Sequence, residues 1–293
     1  MASTTQPRQS SLRQILTDML GVLVIAALTP LVTAQAVPVK AETGALAFPF
    51  EMSQVQLTSS RWMDNQNRTI TYLKFLDINR MLYVFRNNHK LSTAGASTNS
   101  GWDAPDFPFR SHMQGHLLSA WAQCFASTQD ASCRDQATSF VAALRLCQQN
   151  NAAAGFTPGY LAGFPESEFD KLEQGKLTSS NVPYYAVHKT MAGLLDVWRL
   201  IGDATAQTTL LAMAAWADTR TAKLSTATMQ QVLGTEQGGM VAVLTDLYFQ
   251  VGVGGSPFSY FDLPVARSSP KTRRQYNMSL SFPKQPRLSI HIC

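Results

Sequence analysis

The stretch Val182-Pro-Tyr-Tyr-Ala-Val-His-Lys-Thr-Met-Ala-Gly-Leu-Leu-Asp196 gives the most specific structural signal in this chain of 293 residues. Its apolar residues recur at three- and four-residue steps, which predicts an amphipathic helix. Tyr184, Tyr185 and His188 stand in its first turns and offer neutral hydrogen-bonding groups on a rigid support, as recognition of an uncharged polyol requires. The alternative is an aromatic helix start that packs beneath a loop.

A pair of histidines follows a turn-rich loop earlier in the chain. The loop Gly101-Trp-Asp-Ala-Pro-Asp106 leads into Phe109-Arg-Ser-His-Met-Gln-Gly-His-Leu-Leu-Ser119, where His112 and His116 share one face of a predicted helix. Such a pair can hold zinc, but Met113 stands where a His-Glu-x-x-His hydrolase has its glutamate base, so a metalloprotease is not indicated. Packing in the core and hydrogen bonding to a ligand hydroxyl are the other interpretations.

Three further residues are candidate sugar contacts. Trp102 lies next to Asp103, and an aromatic face packs on the C–H surface of a sugar while a carboxylate accepts from its hydroxyls. Glu236, in Leu233-Gly-Thr-Glu-Gln-Gly-Gly-Met240, precedes a Gly-Gly turn at a predicted helix start and is the acid best placed for a cleft. No Lys-Ser/Thr pair follows these glycines, so a nucleotide site is not indicated.

Helical periodicity recurs along most of the chain. Apolar residues repeat at helical steps from Thr69 to about Asn88, and similar runs lie at roughly 110–127, 133–149, 184–201, 205–222 and 239–250. No stretch alternates over enough residues to predict a sheet. Helices joined by loops of unequal length predict an all-α domain of paired helices, which we place at residues 37–250.

The two ends of the chain differ from this domain. Arg8 and Arg13 precede an apolar run that ends in Thr33-Ala-Gln-Ala36, which predicts a signal peptide over residues 1–36 and therefore an extracellular, secreted protein. The apolar run is shorter than the ~20 residues that span a bilayer, so no membrane association is expected after its removal. Residues 251–293 lack helical periodicity and are either a disordered tail or the product of a retained intron or frameshift.

The formal net charge of +5 comes from the excess of basic residues at these two ends of the chain. Residues 37–250 carry 16 basic and 17 acidic residues. A nucleic-acid-binding protein concentrates positive charge on its folded surface, so nucleic acid is not an expected partner.

Cysteines and sequons fit an exported protein. In an oxidising compartment Cys124 and Cys133 are close enough to close a short loop between two helices, and Cys147 reads as a buried small hydrophobic residue. Asn67-Arg-Thr69 and Asn277-Met-Ser279 are glycosylation acceptors on export, at Asn67 and Asn277.

Taken together and in this order, the motifs resemble those of the β-L-arabinofuranosidase-like glycoside hydrolases, family 127. Members show a Gly-Gly-Trp-Glu-Ala-Pro-Asp loop and an Arg-Gly-His-x-x-Gly-His helix, which residues 101–106 and 110–116 resemble. Residues 159–165 are similar to the family's Gly-Tyr-Leu-x-x-Phe-Pro, and residues 182–196 to its Val-Pro-Tyr-Tyr-x-x-His-Lys segment. The resemblance covers about residues 50–250.

This resemblance implies an (α/α)6 six-hairpin barrel and retaining hydrolysis of β-linked L-arabinofuranose from plant or hydroxyproline-linked glycans. It also implies a cysteine nucleophile held on zinc by further cysteines and a glutamate, and a separate glutamate as general acid/base, all in the second half of the barrel. The chain has no cysteine between Cys147 and Cys293, so we expect an incomplete barrel with no catalytic residue and no metal, whereas zinc belongs to the full-length family. Asp103 replaces the family's usual glutamate, and Gly238-Gly-Met-Val-Ala242 replaces Gly-Gly-Met-Asn-Glu.

The sequence therefore predicts a secreted, truncated glycoside hydrolase of the β-L-arabinofuranosidase type that keeps part of the binding surface for an arabinose-containing glycan. The alternatives are a non-catalytic carbohydrate-binding or interaction protein, and another helical-barrel glycosidase or a polysaccharide lyase. The predicted substrate contacts, with the first expected to matter most, are His188, Tyr184, Tyr185, His112, His116, Trp102, Asp103 and Glu236.

Overall fold

The structure is a computed structural model that describes residues 50–178, 180–236 and 238–253. Every regular element in these residues is helical, which confirms the predicted all-α class. Two short 3-10 helices, Met52–Gln54 and Gly101–Asp103, accompany the α-helices. The α-helices are α1 (Arg61–Phe75), α2 (Ile78–Met81), α3 (Tyr83–Asn88), α4 (His112–Thr128), α5 (Ala131–Gln149), α6 (Asn151–Ala154), α7 (Ser167–Glu173), α8 (Pro183–Ile201), α9 (Ala204–Thr221), α10 (Thr226–Thr235) and α11 (Met240–Val253).

Two helical hairpins form the centre of the domain. Helix α4 turns into α5 through Gln129 and Asp130, and the Asp130 side chain caps α5 by accepting from the backbone N–H of Ser132. Helix α8 ends at Gly202, whose φ of 83° is open to glycine at no steric cost, and α9 follows at once. Both links are too short to separate the helices, so each pair packs antiparallel.

The hairpins lie side by side in two layers. Helix α8 packs against α4 on one side and α11 on the other, while α5 packs against α9 behind them. Helices α4 and α8 run in the same direction, because His112 lies beside Tyr185 near their starts and Leu118 lies beside Gly193 further along. Hairpins repeated in this way are consistent with part of a helical glycosidase barrel.

Two glycines allow α4 and α8 to approach closely. A Cβ built on Gly115 would lie 2.0 Å from the carbonyl oxygen of Lys189, and one built on Gly193 would lie 2.4 Å from the carbonyl oxygen of Gly115. Real side chains do not tolerate such distances, so the contact between the helices is backbone against backbone. This approach sets the spacing of the side chains that both helices present at their first turns.

Amide side chains hold a buried loop beneath these helices. Tyr160 and Phe164 are fully buried, so the backbone polar groups around them need partners inside the protein. Asn151 Nδ2 donates to the carbonyl of Tyr160, Asn88 Nδ2 donates to that of Phe164, and Gln148 Nε2 donates to that of Gly159. These bonds fix the loop against α3, α5 and α6.

Some predicted boundaries were wrong. The run from Thr69 to Asn88 is three helices, because Leu76 is extended and the Asp77 side chain caps a new helix by accepting from the backbone N–H of Asn79. Helix α1 also begins at Arg61, eight residues earlier, and helices α7 and α10 were not predicted. Helix α11 continues to Val253, three residues past the run predicted at roughly 239–250.

The cysteines of the described region lie in the core. A disulfide joins Cys124 of α4 to Cys133 of α5, with their Cα atoms 6.1 Å apart. Cys147 is a free, buried thiol, and burial raises its pKa to about 12. The sequon residue Asn67 is exposed on α1.

The predicted signal peptide, most of the predicted tail and Asn277 lie outside the described residues. Within the described residues, no helix combines the length and the apolar character that a membrane crossing requires.

Candidate functional site

The first turns of α4 and α8 bring three histidines and a tyrosine together. We call His112, His116, Tyr185 and His188 the histidine cluster. The ring centroids of His112 and His116 are 6.3 Å apart, and those of His112 and Tyr185 are 6.0 Å apart. His188 is close enough to His116 for that ring to affect its pKa. The structure therefore unites four of the eight predicted contact residues on one face.

The cluster exists because of helical spacing and the glycine contact. His112 and His116 are four residues apart on α4, as are Tyr185 and Lys189 on α8, so each pair lies on one side of its helix. Gly115 lies between the two histidines and lets α8 approach at Lys189. With a larger residue at position 115, the two helices could not hold these side chains within ring contact.

A backbone hydrogen bond fixes the tautomer of His112. Its Nδ1 lies 3.0 Å from the carbonyl oxygen of Phe109, and a carbonyl only accepts, so Nδ1 carries the proton and donates. Nε2 of the neutral ring is then an acceptor. This atom suits the hydroxyl of a ligand.

His188 stays neutral over most of the pH range. Its pKa is lowered to about 4, mainly by burial, and the nearby charge of Lys189 and the His116 ring act in the same direction. Its Nδ1 is buried and has no hydrogen-bond partner among the described residues. A Cβ built on Gly239 would lie 2.9 Å from this nitrogen, so only glycine there leaves room for the ring.

His116 and Lys189 form the more open edge of the cluster. His116 is exposed, yet partial burial lowers its pKa, with Lys189 and His112 acting in the same direction. The Lys189 ammonium lies 4.8 Å from the centre of the Tyr185 ring, in a cation–π contact. This edge places one positive charge beside neutral imidazoles.

Three aromatic residues of the loop before α4 extend the histidine cluster towards solvent. We call Trp102, Phe107 and Phe109 the aromatic loop. Trp102 is 66% exposed, and its ring lies 6.1 Å from that of His112. Phe107 stacks on Trp102 at 6.5 Å with an interplanar angle of 14°, and Phe109 contacts both Trp102 and His112. The loop thus presents a flat apolar surface beside hydrogen-bonding groups, which is the combination that a sugar ring needs.

Hydrogen bonds from neighbouring residues hold this loop in place. Arg110 donates from Nε to the carbonyl of Gly163 and from one terminal nitrogen to that of Phe107. Ser111, in the left-handed region with φ of 73°, accepts at Oγ from the backbone N–H of Gly163. The segments around residues 101–111 and 159–165, both selected from the sequence, therefore form one unit.

The carboxylate of Asp103 stabilises this loop through internal hydrogen bonds. One carboxylate oxygen accepts from the backbone N–H of Ser111, and the other accepts from the side-chain amides of Asn99 and Gln114. Gln114 also donates to the carbonyl of Met81. Both oxygens of Asp103 are therefore engaged in fixing the start of α4 against the loop and α2.

The side chain of Tyr184 points away from the histidine cluster. It is 8% exposed, and its hydroxyl donates to Glu173, a carboxylate that Arg220 also binds. Burial raises the pKa of Tyr184, and the neighbouring carboxylate adds to this effect. The hydroxyl is engaged inside the protein rather than presented to a ligand.

Glu236 is also directed inward. It is 2% exposed, and its two carboxylate oxygens accept from the backbone N–H groups of Tyr184 and Tyr185, at 3.0 and 2.6 Å. Burial raises its pKa to about 7, although both hydrogen bonds oppose the rise. A raised carboxyl pKa is typical of a general acid, but a buried group with both oxygens engaged at a helix start acts as a cap.

The described residues do not fit the zinc site that the family resemblance implies. Cys124 and Cys133 are bonded to each other, and burial keeps the Cys147 thiol protonated. No group of three or more His, Cys, Asp or Glu side chains in the described part of the chain is arranged to hold a metal. No step of the function proposed below uses a metal.

Sequence reasoning missed several parts of the site. Phe109 and Lys189 contact cluster residues, and Phe107 contacts Phe109. Their closeness to His112 and His188 in sequence was an available signal. Gly239 was not recognised as a neighbour of His188, because the two are far apart along the chain.

Comparison with protein families gives a match over most of the chain. The model described as "Beta-L-arabinofuranosidase, GH127 catalytic domain" matches residues 54–254, which is more than half of the chain. A comparison with curated proteins finds no match. The matched range contains the histidine cluster, the aromatic loop and both central hairpins.

Proposed function

Because the chain belongs to the GH127 β-L-arabinofuranosidase catalytic-domain family, a family of glycoside hydrolases, we propose that it is a secreted protein whose histidine cluster binds β-linked L-arabinofuranosyl groups of glycans. The observation that carries the proposal is the convergence of imidazole rings with an exposed indole. His112 offers Nε2, because its Nδ1 is bound to the Phe109 carbonyl, His188 offers a neutral ring, and Trp102 offers an apolar face.

The chemistry of the ligand matches these groups. An arabinofuranosyl group is uncharged, with hydroxyls that both donate and accept and C–H groups that pack on aromatic rings. A neutral imidazole has one donor and one acceptor, whereas a protonated one only donates. The low pKa of His188 therefore suits a neutral sugar at mildly acidic as well as neutral pH.

Secretion is supported by two independent features. The N-terminal sequence has basic residues, then an apolar run, then Thr33-Ala-Gln-Ala36, in the order of a signal peptide. A disulfide between Cys124 and Cys133 is typical of proteins from oxidising compartments. The proposed location is extracellular.

A second candidate function is carbohydrate binding without hydrolysis. The observation in its favour is the engagement of both candidate acids, because Asp103 and Glu236 each use their two oxygens for internal hydrogen bonds. Retaining hydrolysis needs one acid/base and one nucleophile on either side of the bond. We propose that the described residues supply ligand contacts and that neither of these two acids takes part in bond cleavage.

The test separates binding from turnover. The secreted chain is incubated with para-nitrophenyl β-L-arabinofuranoside, and binding is followed by calorimetry while release of nitrophenol reports hydrolysis. We expect binding to the β-linked sugar and loss of binding in His188→Ala. Gln149→Ala, on the exposed surface of the outer helix α5, is the matched control and should bind as the unsubstituted chain does.

Each outcome has a clear meaning. Absence of binding to this and to other arabinofuranosides would contradict the proposed ligand. Turnover that His188→Ala abolishes would show that the chain is a hydrolase and would reject the second candidate function. Equal binding of the α-linked anomer would reject selectivity for the β linkage.

A further inference from the structure

Helix α8 begins without a capping residue of its own. Its N-cap is Val182, which has no side-chain acceptor, and Pro183 in the first turn has no N–H. The N–H groups of Tyr184 and Tyr185 are therefore donors that the helix itself cannot satisfy. Because the hydrogen bond of the first donor is buried and that of the second is partly buried, leaving them unpaired would be unfavourable.

Glu236 supplies the missing acceptors from a distant part of the chain. It lies 52 residues from Tyr184 and 51 from Tyr185, at the C-terminal end of α10. Each carboxylate oxygen binds one of the two N–H groups, so the two bonds fix direction as well as position. A negative group at a helix N-terminus also interacts favourably with the helix dipole.

The same segment contacts His188 one turn further along. Glu236 ends α10, and Gly239, at the start of α11, lies against the His188 ring so closely that a Cβ there would be 2.9 Å from Nδ1. The link between α10 and α11 therefore touches α8 at its backbone and at its key side chain.

We propose that Glu236 is a positioning residue for sugar binding: its carboxylate locks the first turn of α8 to the α10–α11 link and thereby sets where Tyr185 and His188 stand. The inference rests on the proposed function for its ligand. Glu236 itself contacts no sugar, because both of its carboxylate oxygens are engaged at the start of α8. Its effect passes through the backbone of α8 and through Gly239.

We predict that a helix cap alone, without the bond to the α10–α11 link, does not restore sugar binding. Glu236→Ala removes both acceptors. Val182→Asp, added to it, supplies a local side-chain acceptor to the same N–H groups without restoring the bond to the α10–α11 link. Glu236→Gln keeps one acceptor oxygen and is the conservative variant for use if Glu236→Ala does not fold.

Three readouts are compared in mildly alkaline buffer, where the carboxylate is ionised. They are the melting temperature, the affinity for para-nitrophenyl β-L-arabinofuranoside and the NMR signals of the His188 ring. We expect Glu236→Ala to lower the melting temperature and to weaken binding about tenfold or more. We expect Val182→Asp to restore the melting temperature while binding stays weak and the His188 signals stay displaced.

Other results would overturn the inference. If Val182→Asp restores affinity together with the melting temperature, Glu236 is only a cap. If the Glu236→Ala variant binds the sugar with unchanged affinity, Glu236 does not position Tyr185 and His188 for binding. If the unsubstituted chain binds no arabinofuranoside, the proposed function fails separately, and the His188 signals then decide: displacement in the double variant supports positioning, and unchanged signals reject it.

Discussion

Gly115 and Lys189 touch through their backbones: a Cβ on Gly115 would lie 2.0 Å from the carbonyl oxygen of Lys189 and 2.1 Å from its carbonyl carbon. Neither atom belongs to a flexible side chain that could turn aside. The contact joins α4 to α8 next to His116 and His188 of the histidine cluster. It therefore fixes the distance between the two helices that carry the cluster.

Replacing Gly115 with alanine should therefore damage both stability and binding. The methyl group forces α4 and α8 apart, and overpacking of this kind should destabilise the protein by about 3 kcal/mol or more. His112 and Tyr185 would also separate, so affinity for the arabinofuranoside should fall. Urea unfolding and calorimetry measure the two effects.

Gly234→Ala is the control, and we expect it to change the stability in the opposite direction. A Cβ on Gly234 meets nothing within 4 Å, and this residue is exposed within helix α10. Alanine there should stabilise the protein by roughly 0.5–1 kcal/mol, because it lowers the entropy cost of forming helix. If both substitutions shift stability equally, the close contact at Gly115 has no special role.

The ionisation of Glu236 should make stability depend on pH. Its pKa rises from 4.5 in the unfolded chain to about 7 in the folded one, so between these values the folded protein holds a proton that the unfolded chain has released. The pH-dependent part of the stability from this group is then fully present below about pH 4.5 and is lost as pH rises through about 7, while the hydrogen bonds to the ionised carboxylate remain. The full difference is on the order of 3 kcal/mol.

Comparison with Glu236→Gln isolates this effect. His188 and His89 act in the opposite direction, since burial lowers the pKa of each to about 4 and their contribution is lost as pH falls. Both histidines are present in the variant, so subtracting its free energy of unfolding from that of the unsubstituted chain removes them. That difference should shrink from acidic to neutral pH. A constant difference would mean that Glu236 ionises normally in the folded protein.

The sequence predicted which side chains share a helix face better than it predicted the ends of helices. His112 and His116 could be placed on one face because a spacing of four is a property of a single helix. Helix α1 was missed at its start because Asp64, Asn65 and Asn67 give it no apolar periodicity there. Its N-cap, Ser60, accepts from the backbone N–H of Met63 and was the available signal.

Tyr184 and Tyr185 show what local spacing could have revealed. Adjacent residues on a helix point about 100° apart, so two consecutive tyrosines cannot both face one ligand. Tyr185 joins the histidine cluster, and Tyr184 turns to Glu173. The role of Glu236 could not be read in this way, because its partners lie more than 50 residues away.

Arg220 should be the most sensitive charged residue outside the cluster. Its side chain is 13% exposed and pairs with Glu173 at 2.7 Å, with Asp170 at 2.5 Å and with Glu166 at 3.6 Å. Arg220→Met would leave Glu173 and Glu166, at 12% and 13% exposure, without their cation. Breaking a buried network from one side should cost about 3–5 kcal/mol, measurable by urea unfolding.

A surface ion pair provides the comparison for Arg220. Arg134 pairs with Asp135 at 2.8 Å, but the two side chains are 46% and 64% exposed. Arg134→Met should cost at most about 1 kcal/mol, because solvent screens the pair. Similar losses for the two variants would show that the network around Arg220 is not effectively buried.

The disulfide between Cys124 and Cys133 should stabilise the domain by restricting the unfolded chain. The bridge closes a loop with a sequence separation of 9, for which loop entropy predicts about 2.5 kcal/mol. The test is the double variant Cys124→Ala, Cys133→Ala; alanine is used because Cys133 is fully buried and a serine hydroxyl would lack a solvated partner. Its free energy of unfolding should fall by that amount while the helical content is retained.

Reductant should lower the stability of the unsubstituted chain towards that of the variant and leave the variant unchanged, because only the unsubstituted chain has this bond to break. If reductant has no effect on the unsubstituted chain, the two thiols are not joined in the protein that folds.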